Sequence, residues 1–571
     1  MKVKTGISPL KTDSGKLSTS DEERANILNN FFSSVFITED TSNLPKMEKI
    51  PQLQDESLIN IDITSDLVSK LLKELDPTKA QGPDGLPAKV LKELHNEISV
   101  PLSILFQNSV DQGKIPNEWK KAEVIALFKK GSKTDPGNYR PVSLTCITCK
   151  VLEKIIRDAI VKHFTQNKLY SECQHGFRTK RSCITQLLEA MEYFTSKLDI
   201  GESVDVIYLD FKKAFDTVPH ARLMIKLSAY GLNGKLKDWI NNFLSNRTQR
   251  VRVGTSVSQE AKVLSGIPQG SILGPILFTI FINDLPEKVK SVCKIFADDT
   301  KLYNISNNST DLQNDLNVIM EWSQKWKLDF NIQKCKTLHI GNKNPKHKYY
   351  MKTQSNQSDI IECDNEKDLG VIFDKSLKFD THIQKAVAKG NQVIGLIRRS
   401  FDFIDKDVFL KLYTALVRPH LEYGNVIWHP NLKRQSISLE KVQKRATKMV
   451  KECKNMTYSQ RLKYLNLPSL KGRRLRGDLI QTYKILKNID DIDSENLFTK
   501  SLVTKTRNSQ DKLYLSHCNT NLRKYCFTNR VIMHWNALSP SIKSAPNLNK
   551  FKNLLDSDTI LNKLFFDFDM N

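Results

Sequence analysis

The feature that most constrains this chain is the four-residue segment FADD at positions 296–299. Mostly apolar stretches flank it at 292–295 and 302–303, and strand, turn, strand is the natural interpretation because Asp tolerates tight hairpin turns. Such a hairpin holds the carboxylates of Asp298 and Asp299 side by side at its tip. Like charges this close repel one another and are stable in the ionised form only beside a cation. The segment therefore predicts an acidic hairpin tip that binds positive charge.

A third carboxylate lies upstream in a similar setting. Residues 204–209 (VDVIYL) form a β-rich, largely apolar run that predicts a buried strand, and Asp210 follows at its end. Pairing of this strand with the acidic hairpin would bring three carboxylates together. Such a cluster suits two Mg²⁺ ions about 3.5–4 Å apart, as in polymerases and nucleases. The acids thus predict a two-metal site that activates a 3′-hydroxyl and holds a triphosphate.

A sharp turn between these acids completes an ordered set of motifs. In SGIPQGS (265–271) two glycines and a proline set the turn, and Gln269 can donate and accept hydrogen bonds. The order strand-Asp, GIPQG, FADD resembles motifs A, B and C of the reverse transcriptases of non-LTR (LINE-type, jockey/CR1-like) retrotransposons. Further segments match in order: QGPDGLP (81–87), LFKKG (127–131), NYRPVSL (138–144), QHGFR (174–178), NIQK (331–334) and DLGV (368–371). The ordered set is specific, although any single member is not.

The resemblance implies an α+β chain with a right-hand polymerase fold. Fingers, palm and thumb would be built around an antiparallel palm sheet backed by helices. We expect an N-terminal linker and helical segment at 1–60, fingers and palm at 61–345, primer grip and thumb at 346–430, and a basic helical region at 431–571. For that last region the sequence leaves two interpretations open, a solvated charged face and a face that binds nucleic acid.

The resemblance also assigns roles to the acids. Asp210 and Asp298 are the expected metal ligands, and the backbone carbonyl of Phe211 is a further ligand. Asp299 is a third acid, at the metal or at the primer end. The expected cofactor is a pair of Mg²⁺ ions, with Mn²⁺ as an alternative.

Basic residues are expected to handle the triphosphate. Arg140 offers a planar fork for phosphate oxygens, and Lys129 or Lys130 offers a point charge. Lys334 is expected to protonate the leaving pyrophosphate as a general acid, and Lys336 competes for that role.

Three further positions are expected to contact the nucleotide or the primer. Phe215 lies five residues after Asp210, where the family places an aromatic ring that excludes a ribose 2′-hydroxyl and so selects deoxynucleotides. Gln269 is expected to pack against the incoming nucleotide. Leu369 and Gly370 are expected to form the turn that grips the primer end.

The composition agrees with a partner that is a polyanion. The formal net charge is +24, and Lys and Arg supply most non-specific affinity for nucleic acid. We therefore expect an RNA template, a DNA primer and dNTPs as partners. The first residues begin no signal peptide, and the longest apolar run (272–282) is too short to span a bilayer. We expect no membrane association and an intracellular location, in the nucleus, the cytoplasm or both.

The ten cysteines are scattered. The C-x-x-C at Cys146 and Cys149 has no second pair at zinc-ribbon spacing, so buried free thiols in a reducing compartment are the better interpretation.

The function predicted from these motifs is RNA-directed DNA polymerase, a reverse transcriptase of a non-LTR retrotransposon. The alternative is a catalytically inactive or domesticated relic that binds nucleic acid. An RNA-templated RNA polymerase is disfavoured by Phe215 and by Ala297 before the paired acids. Because only about sixty mostly polar residues precede the polymerase region, we expect the chain to lack the endonuclease domain that active elements usually carry there.

Overall fold

The computed structural model of the chain describes residues 6–12, 14–51, 53, 57–352, 356–501 and 512–558. Its first helices are α1 (Asp21–Ser34), α2 (Ser65–Lys73), α3 (Ala88–Glu93), α4 (His95–Gln112), α5 (Ile147–Gln166), α6 (Cys183–Asp199), α7 (Ala214–Thr217), α8 (His220–Ala229), α9 (Gly234–Leu244), α10 (Gly274–Ile282) and α11 (Ser309–Trp326). The later helices are α12 (Asp380–Ser400), α13 (Lys406–Leu412), α14 (Arg418–Glu422), α15 (Lys433–Ala446), α16 (Tyr458–Leu465), α17 (Leu470–Leu486), α18 (Ser494–Leu497), α19 (Asn521–Lys524), α20 (Phe527–Arg530), α21 (Ile532–Ala537), α22 (Pro540–Lys543) and α23 (Leu548–Ser557).

The strands are shorter and lie mostly in the first two thirds of the chain. They are β1 (Lys121–Phe128), β2 (Tyr139–Leu144), β3 (Val204–Leu209), β4 (Arg247–Val253), β5 (Ser256–Val257), β6 (Ala261–Val263), β7 (Val292–Phe296), β8 (Asp299–Ile305), β9 (Lys336–Ile340), β10 (Tyr350–Lys352), β11 (Gln357–Asp359), β12 (Ile361–Glu362), β13 (Asn365–Asp368) and β14 (Val371–Asp374). The chain therefore contains both helices and sheets, which agrees with the α+β class that the resemblance implies at this coarse level.

The central sheet has the strand order β12-β9-β3-β8-β7. β3 lies antiparallel to both β8 and β9, and β7 and β8 form a hairpin. The edge strand β12 is the exception to the antiparallel sheet that the sequence predicts, since it pairs with β9 in parallel. The β10–β11 hairpin lies between β9 and β12 in the chain and returns the chain to the end of the sheet where β9 begins. β12 therefore runs in the same direction as β9.

Strand β3 divides the core into two halves because its alternate side chains face opposite sides of the sheet. Ile207 and Leu209 pack into one hydrophobic core with α5, α8, α9, α10 and α11. Val204 and Val206 pack into a second core that contains α6, α12 and the helices from α15 onwards. The region after residue 430 therefore shares its core with one face of the central sheet.

A second sheet stands beside the first, with the order β2-β1-β4-β5 and with β6 also paired to β4. Helix α1 packs on it through Leu28 and Phe32. This helix begins where the sequence favours a start, since the Ser20 side chain accepts a hydrogen bond from the backbone N–H of Glu23. The sheet and α1 are held together by a small separate core.

All ten cysteines are free thiols, and six of them are buried. Among the residues that the structure describes, none of the helices has the length and apolar character needed to cross a membrane.

Candidate active site

The pairing of β3 with β8 brings the three predicted acids together. Leu209, the last residue of β3, lies opposite Thr300 of β8, so Asp210 lies one step beyond, beside the hairpin tip. In the hairpin itself Phe296 pairs with Asp299. The two-residue turn is therefore Ala297 and Asp298 rather than the two acids, and Asp299 is the first residue of β8.

The electrostatics of the tip are those of a crowded anion cluster. Burial raises the pKa of Asp298 above its usual range, and the neighbouring Asp210 carboxylate raises it further. Burial also raises the pKa of Asp299, to about 6, with added repulsion from Asp298, Asp368 and Asp210. Carboxylates that repel one another in this way are stabilised in the ionised form by a bound cation.

The three acids are of a chemical type that binds divalent cations, but their side chains are not arranged around a single point. Within the described ranges, no group of three His, Cys, Asp or Glu side chains is arranged to hold a metal ion as it stands. Instead Lys334 Nζ donates to Asp210 Oδ2 at 3.1 Å. The candidate metal ligands are all carboxylate or carbonyl oxygens, which are the ligands that Mg²⁺ prefers. An ammonium group thus lies where a metal ion would otherwise neutralise Asp210.

Phe211 is fixed directly behind this cluster. It forms a β-bridge with Phe330, and the two rings stack at 4.2 Å between centroids. The backbone N–H of Asn331 donates to the Asp210 carbonyl at 2.7 Å. These contacts tie the end of β3 to the segment that carries Lys334.

The two lysines that compete for the general-acid role have different partners. Lys334 faces Asp210. Lys336 lies 2.9 Å from Glu366 of β13, and this hydrogen bond raises the pKa of Lys336. Of the two side chains, that of Lys334 lies at the acid cluster.

The GIPQG turn is joined to the segment after β3. Gln269 Nε2 donates to Asp216 Oδ1 at 2.7 Å, and the Ile267 N–H donates to the Phe215 carbonyl at 2.7 Å. The Phe215 ring, half-buried, stacks on Phe278 of α10 with centroids 4.6 Å apart. Asp216 thus serves as a local hydrogen-bond acceptor, and it holds Gln269 in place.

Two glycines in this turn have no substitute. Gly266 has φ +83°, and an added Cβ would collide with the Asp216 carbonyl. Gly270 has φ +129°, and a Cβ there would collide with the carbonyl of Ser143 in β2. Because the Ser143 N–H also donates to the Gln269 carbonyl at 2.7 Å, the turn is docked against the second sheet.

Glu153 supports the other end of the same turn. Its side chain is fully buried in α5, and Oε2 accepts from the Ser271 hydroxyl at 2.5 Å and from the N–H groups of Ile272 and Leu273 at 2.7 and 3.1 Å. These groups precede the first turn of α10, where a negative charge is favourable.

Arg140 and Lys129 lie on the β1–β2 hairpin and reach toward the acids. Both side chains are exposed, and the Lys129 N–H donates to the Asn138 carbonyl at 2.8 Å. Their positive charges partly offset the factors that raise the pKa of Asp298, and Lys129 does the same for Asp299. The predicted phosphate-binding residues therefore face the predicted metal ligands.

Leu369 and Gly370 form the tip of the β13–β14 hairpin, as the turn predicted to grip the primer requires. Leu369 has φ +43°, and its carbonyl accepts from the Tyr423 hydroxyl at 2.8 Å. Gly370 has φ +91°, and a Cβ there would collide with the Tyr423 ring. On the other side, Asp368 forms a buried ion pair with Lys301 of β8.

The QHGFR segment extends the central sheet at its β7 edge. The His175 N–H donates to the Ile295 carbonyl, and Gln174 Oε1 accepts from the N–H groups of Gly176 and Ala297 at 2.7 and 3.2 Å. Gly176 passes so close that a Cβ would collide with the Ala297 nitrogen. This segment supports the acidic turn from behind.

Sequence reasoning assigned no role to four residues that shape this site: Gln174, Glu153, Lys301 and Tyr423. Glu153 carried a signal, because it is an acid on the apolar face of a predicted helix. Lys301, inside a β-rich run, carried a similar one. The contacts of Gln174 and Tyr423 join segments far apart in the chain, and no local pattern reveals them.

Comparison with known protein families gives a match to one part of the chain. Residues 128–373, which hold the acids, the GIPQG turn and the β13–β14 tip, match the family described as reverse transcriptase (RNA-dependent DNA polymerase). This segment of the chain is therefore similar in sequence to reverse transcriptase domains.

The relatives that match the chain are polymerases from mobile elements. The chain is 25% identical over 484 residues to the probable RNA-directed DNA polymerase from transposon BS of Drosophila melanogaster, across 78% of this chain and 51% of that protein. It is 26% identical over 440 residues to that of transposon X-element of the same organism, across 72% and 47%. It is 28% identical over 378 residues to that of mobile element jockey, across 63% and 41%.

The chain is thus a homologue of the RNA-directed DNA polymerases of non-LTR retrotransposons. It spans about half the length of the curated relatives it matches.

Proposed function

We propose that the chain is an RNA-directed DNA polymerase that extends a DNA 3′-hydroxyl on an RNA template. In this proposal the central sheet with α8 to α11 is the palm, the second sheet belongs to the fingers, and α12 to α14 belong to the thumb. Its substrates are dNTPs, its macromolecular partners are an RNA template and a DNA primer, and it acts in the nucleus, the cytoplasm or both.

The observation that carries the proposal is the meeting of Asp210, Asp298 and Asp299 at the paired ends of β3 and β8. Burial, together with repulsion within the cluster, raises the pKa of Asp298 and Asp299. This excess of negative charge supports a role in holding cations.

In this proposal Asp210, Asp298, Asp299 and the Phe211 carbonyl hold two Mg²⁺ ions, or Mn²⁺ in their place. When bound, such a pair lowers the pKa of the attacking hydroxyl and neutralises the leaving pyrophosphate. All other steps belong to the protein's own groups.

Those groups surround the acids on two sides. Arg140 and Lys129 bind triphosphate oxygens from the β1–β2 hairpin. Gln269, held by Asp216, packs against the incoming nucleotide, and the Phe215 ring occupies the space that a 2′-hydroxyl would need. Lys334, whose ammonium group contacts Asp210, would donate a proton to the leaving pyrophosphate oxygen.

The primer end is set by the opposite wall of the site. The Leu369-Gly370 tip would hold the last primer nucleotide, and the Lys301–Asp368 ion pair keeps that tip at a fixed distance from Asp299.

The test is primer extension on an RNA template with dNTPs and Mg²⁺. Wild type is compared with Asp298→Asn, which keeps the side-chain size, and with Asp158→Asn, an exposed acid on α5, as the matched control. RNA binding is measured on the same samples. We expect extension by wild type and by the control, and none by Asp298→Asn.

One alternative remains in this proposal, a catalytically inactive relic that binds nucleic acid. A folded wild-type chain that binds RNA but extends no primer in Mg²⁺ or Mn²⁺ would support the relic and contradict the polymerase.

A further inference from the structure

In the region after residue 430, Asp491 lies in the turn between α17 and α18 and contacts the segment that supports the acidic hairpin. Its backbone N–H donates to the Lys180 carbonyl at 2.9 Å. Its carboxylate accepts from Arg181 Nε at 3.0 Å and from Arg178 Nη2 at 3.3 Å. Arg178 is the last residue of the QHGFR segment, and Lys180 and Arg181 lie in the loop that follows it.

The two arginines also contact other residues of the same loop. Arg181, with only 5% of its side chain exposed, also donates to the carbonyl and carboxylate of Glu172, and its Nη1 lies 3.3 Å from Nε2 of His175. Arg178 donates to the Ser171 carbonyl at 2.7 Å. Residues 171–181 are thereby folded into one compact loop, and the two guanidinium groups share the carboxylates of both Glu172 and Asp491.

The loop in turn holds the catalytic tip. The Gln174 side chain accepts from the Ala297 N–H at 3.2 Å, and Ala297 is the first turn residue, directly before Asp298. Because Ala297 adopts φ +56°, an unfavourable conformation for alanine, its position depends on such outside contacts.

The region after residue 430 also contacts α6, the helix that follows this loop in the chain. Asp199 accepts from the Thr520 N–H at 2.7 Å and from its hydroxyl at 2.8 Å, and Glu192 pairs with Arg523 at 2.5 Å. Ile492 and Leu497, beside Asp491, are buried in the core that contains α6. The contact of Asp491 with the loop is therefore held in register by a broad interface.

We propose that Asp491 is a positioning residue for polymerisation, which fixes the Ala297-Asp298 turn from the C-terminal region through Arg178, Arg181 and Gln174. This rests on the proposed function for its effect on catalysis. The region after residue 430 is then a structural part of the active centre, whatever else its basic surface binds.

The test compares Asp491→Asn with Asp493→Asn in the full chain. Both variants remove one negative charge from the same turn. Among the residues that the structure describes, the carboxylate of Asp493 has only local partners, the Glu495 N–H and Asn496, and Asn can still cap α18. Amide hydrogen exchange of the hairpin at 292–300 and the kcat and KM of dNTP addition are measured for each.

We expect Asp491→Asn to lose exchange protection in the hairpin and to lower kcat by about ten- to hundredfold, as for a small misplacement of a catalytic group. The KM for dNTP should stay unchanged, and Asp493→Asn should behave like wild type. Gln174→Leu should reproduce the effect, and the double variant should be no worse than either single one, because both break the same chain of contacts.

Unchanged hairpin exchange in Asp491→Asn would overturn the proposal, and so would equal effects of the two Asp→Asn variants or exchange that rises equally throughout the protein. If Asp491→Asn does not fold, Arg181→Lys replaces it, since lysine keeps the charge but not the fork. If wild type shows no polymerase activity, the proposed function fails, and hairpin exchange still decides whether Asp491 positions the turn.

Discussion

Lys301 and Asp368 form an ion pair that is almost closed to solvent, with 3% and 8% of their side chains exposed. Lys301 lies on β8 two residues after Asp299, and Asp368 precedes the Leu369-Gly370 tip. One pair therefore joins the strand of the candidate metal site to the turn expected to hold the primer.

Breaking this pair on one side should be costly. Lys301→Met leaves Asp368 buried without a counter-charge, and we expect a loss of about 3–5 kcal/mol in the free energy of unfolding, measured by denaturant titration. Lys301→Met combined with Asp368→Leu should recover much of that loss. If the two substitutions are instead additive, the residues are not coupled.

Replacement of Phe215 should change the choice of sugar. Its ring stacks on Phe278 at 4.6 Å, which fixes the plane of the ring in the site. We expect Phe215→Val to raise ribonucleotide incorporation relative to deoxynucleotide by about ten- to hundredfold, measured as the ratio of kcat/KM values. Phe215→Tyr keeps the ring and is the control, and an unchanged ratio in Phe215→Val would exclude the role.

The pKa of Asp299 gives a pH dependence that metal should reverse. Because burial and three carboxylates raise this pKa to about 6, the contribution of Asp299 to stability is complete below its ordinary pKa near 4. That contribution is lost as pH rises through 6. In the absence of metal, the Tm of wild type relative to Asp299→Asn should fall between pH 5 and 7.5. Mg²⁺ should restore it at the higher pH. A Tm difference that is independent of pH and Mg²⁺ would show that Asp299 neither titrates here nor contacts the metal.

Glu153 should support nucleotide binding without touching the nucleotide. Glu153→Gln keeps one acceptor but removes the charge in front of α10, and we expect a loss of about 1–2 kcal/mol in stability. The KM for dNTP should rise because Gln269 lies on the turn that Glu153 anchors. Glu74→Gln, at an exposed ion pair with Lys154, is the matched control. Equal effects of the two substitutions would contradict this view of Glu153.

Much of this site could be predicted from the sequence because its parts are local. The strand at 204–209 has the predicted bounds, and the hairpin lies where the FADD segment indicated. The sequence also predicts the turns that contain Gln269 and the Leu369-Gly370 pair, and the structure has turns at both places. The turn itself differs by one residue, because the pairing of Phe296 with Asp299 moves the second acid out of the turn and into β8.

Contacts between distant segments could not be predicted from the sequence. The Lys301–Asp368 pair spans 67 positions, and the contact between Arg181 and Asp491 spans 310. The parallel pairing of β12 was missed because it depends on the path of the chain through β10 and β11. The sequence also left open the role of residues 431–571, whose basic composition fits either interpretation.

The central claim is that the acid cluster is the catalytic centre of an RNA-directed DNA polymerase. The most direct measurement is the rate of a single dTTP addition to a DNA primer on a poly(A) template, for wild type, Asp210→Asn and Asp158→Asn at saturating template and Mg²⁺. The account predicts addition by wild type and by Asp158→Asn, with that of Asp210→Asn lower by at least about a thousandfold while RNA binding is retained. Addition by Asp210→Asn at the wild-type rate would contradict it.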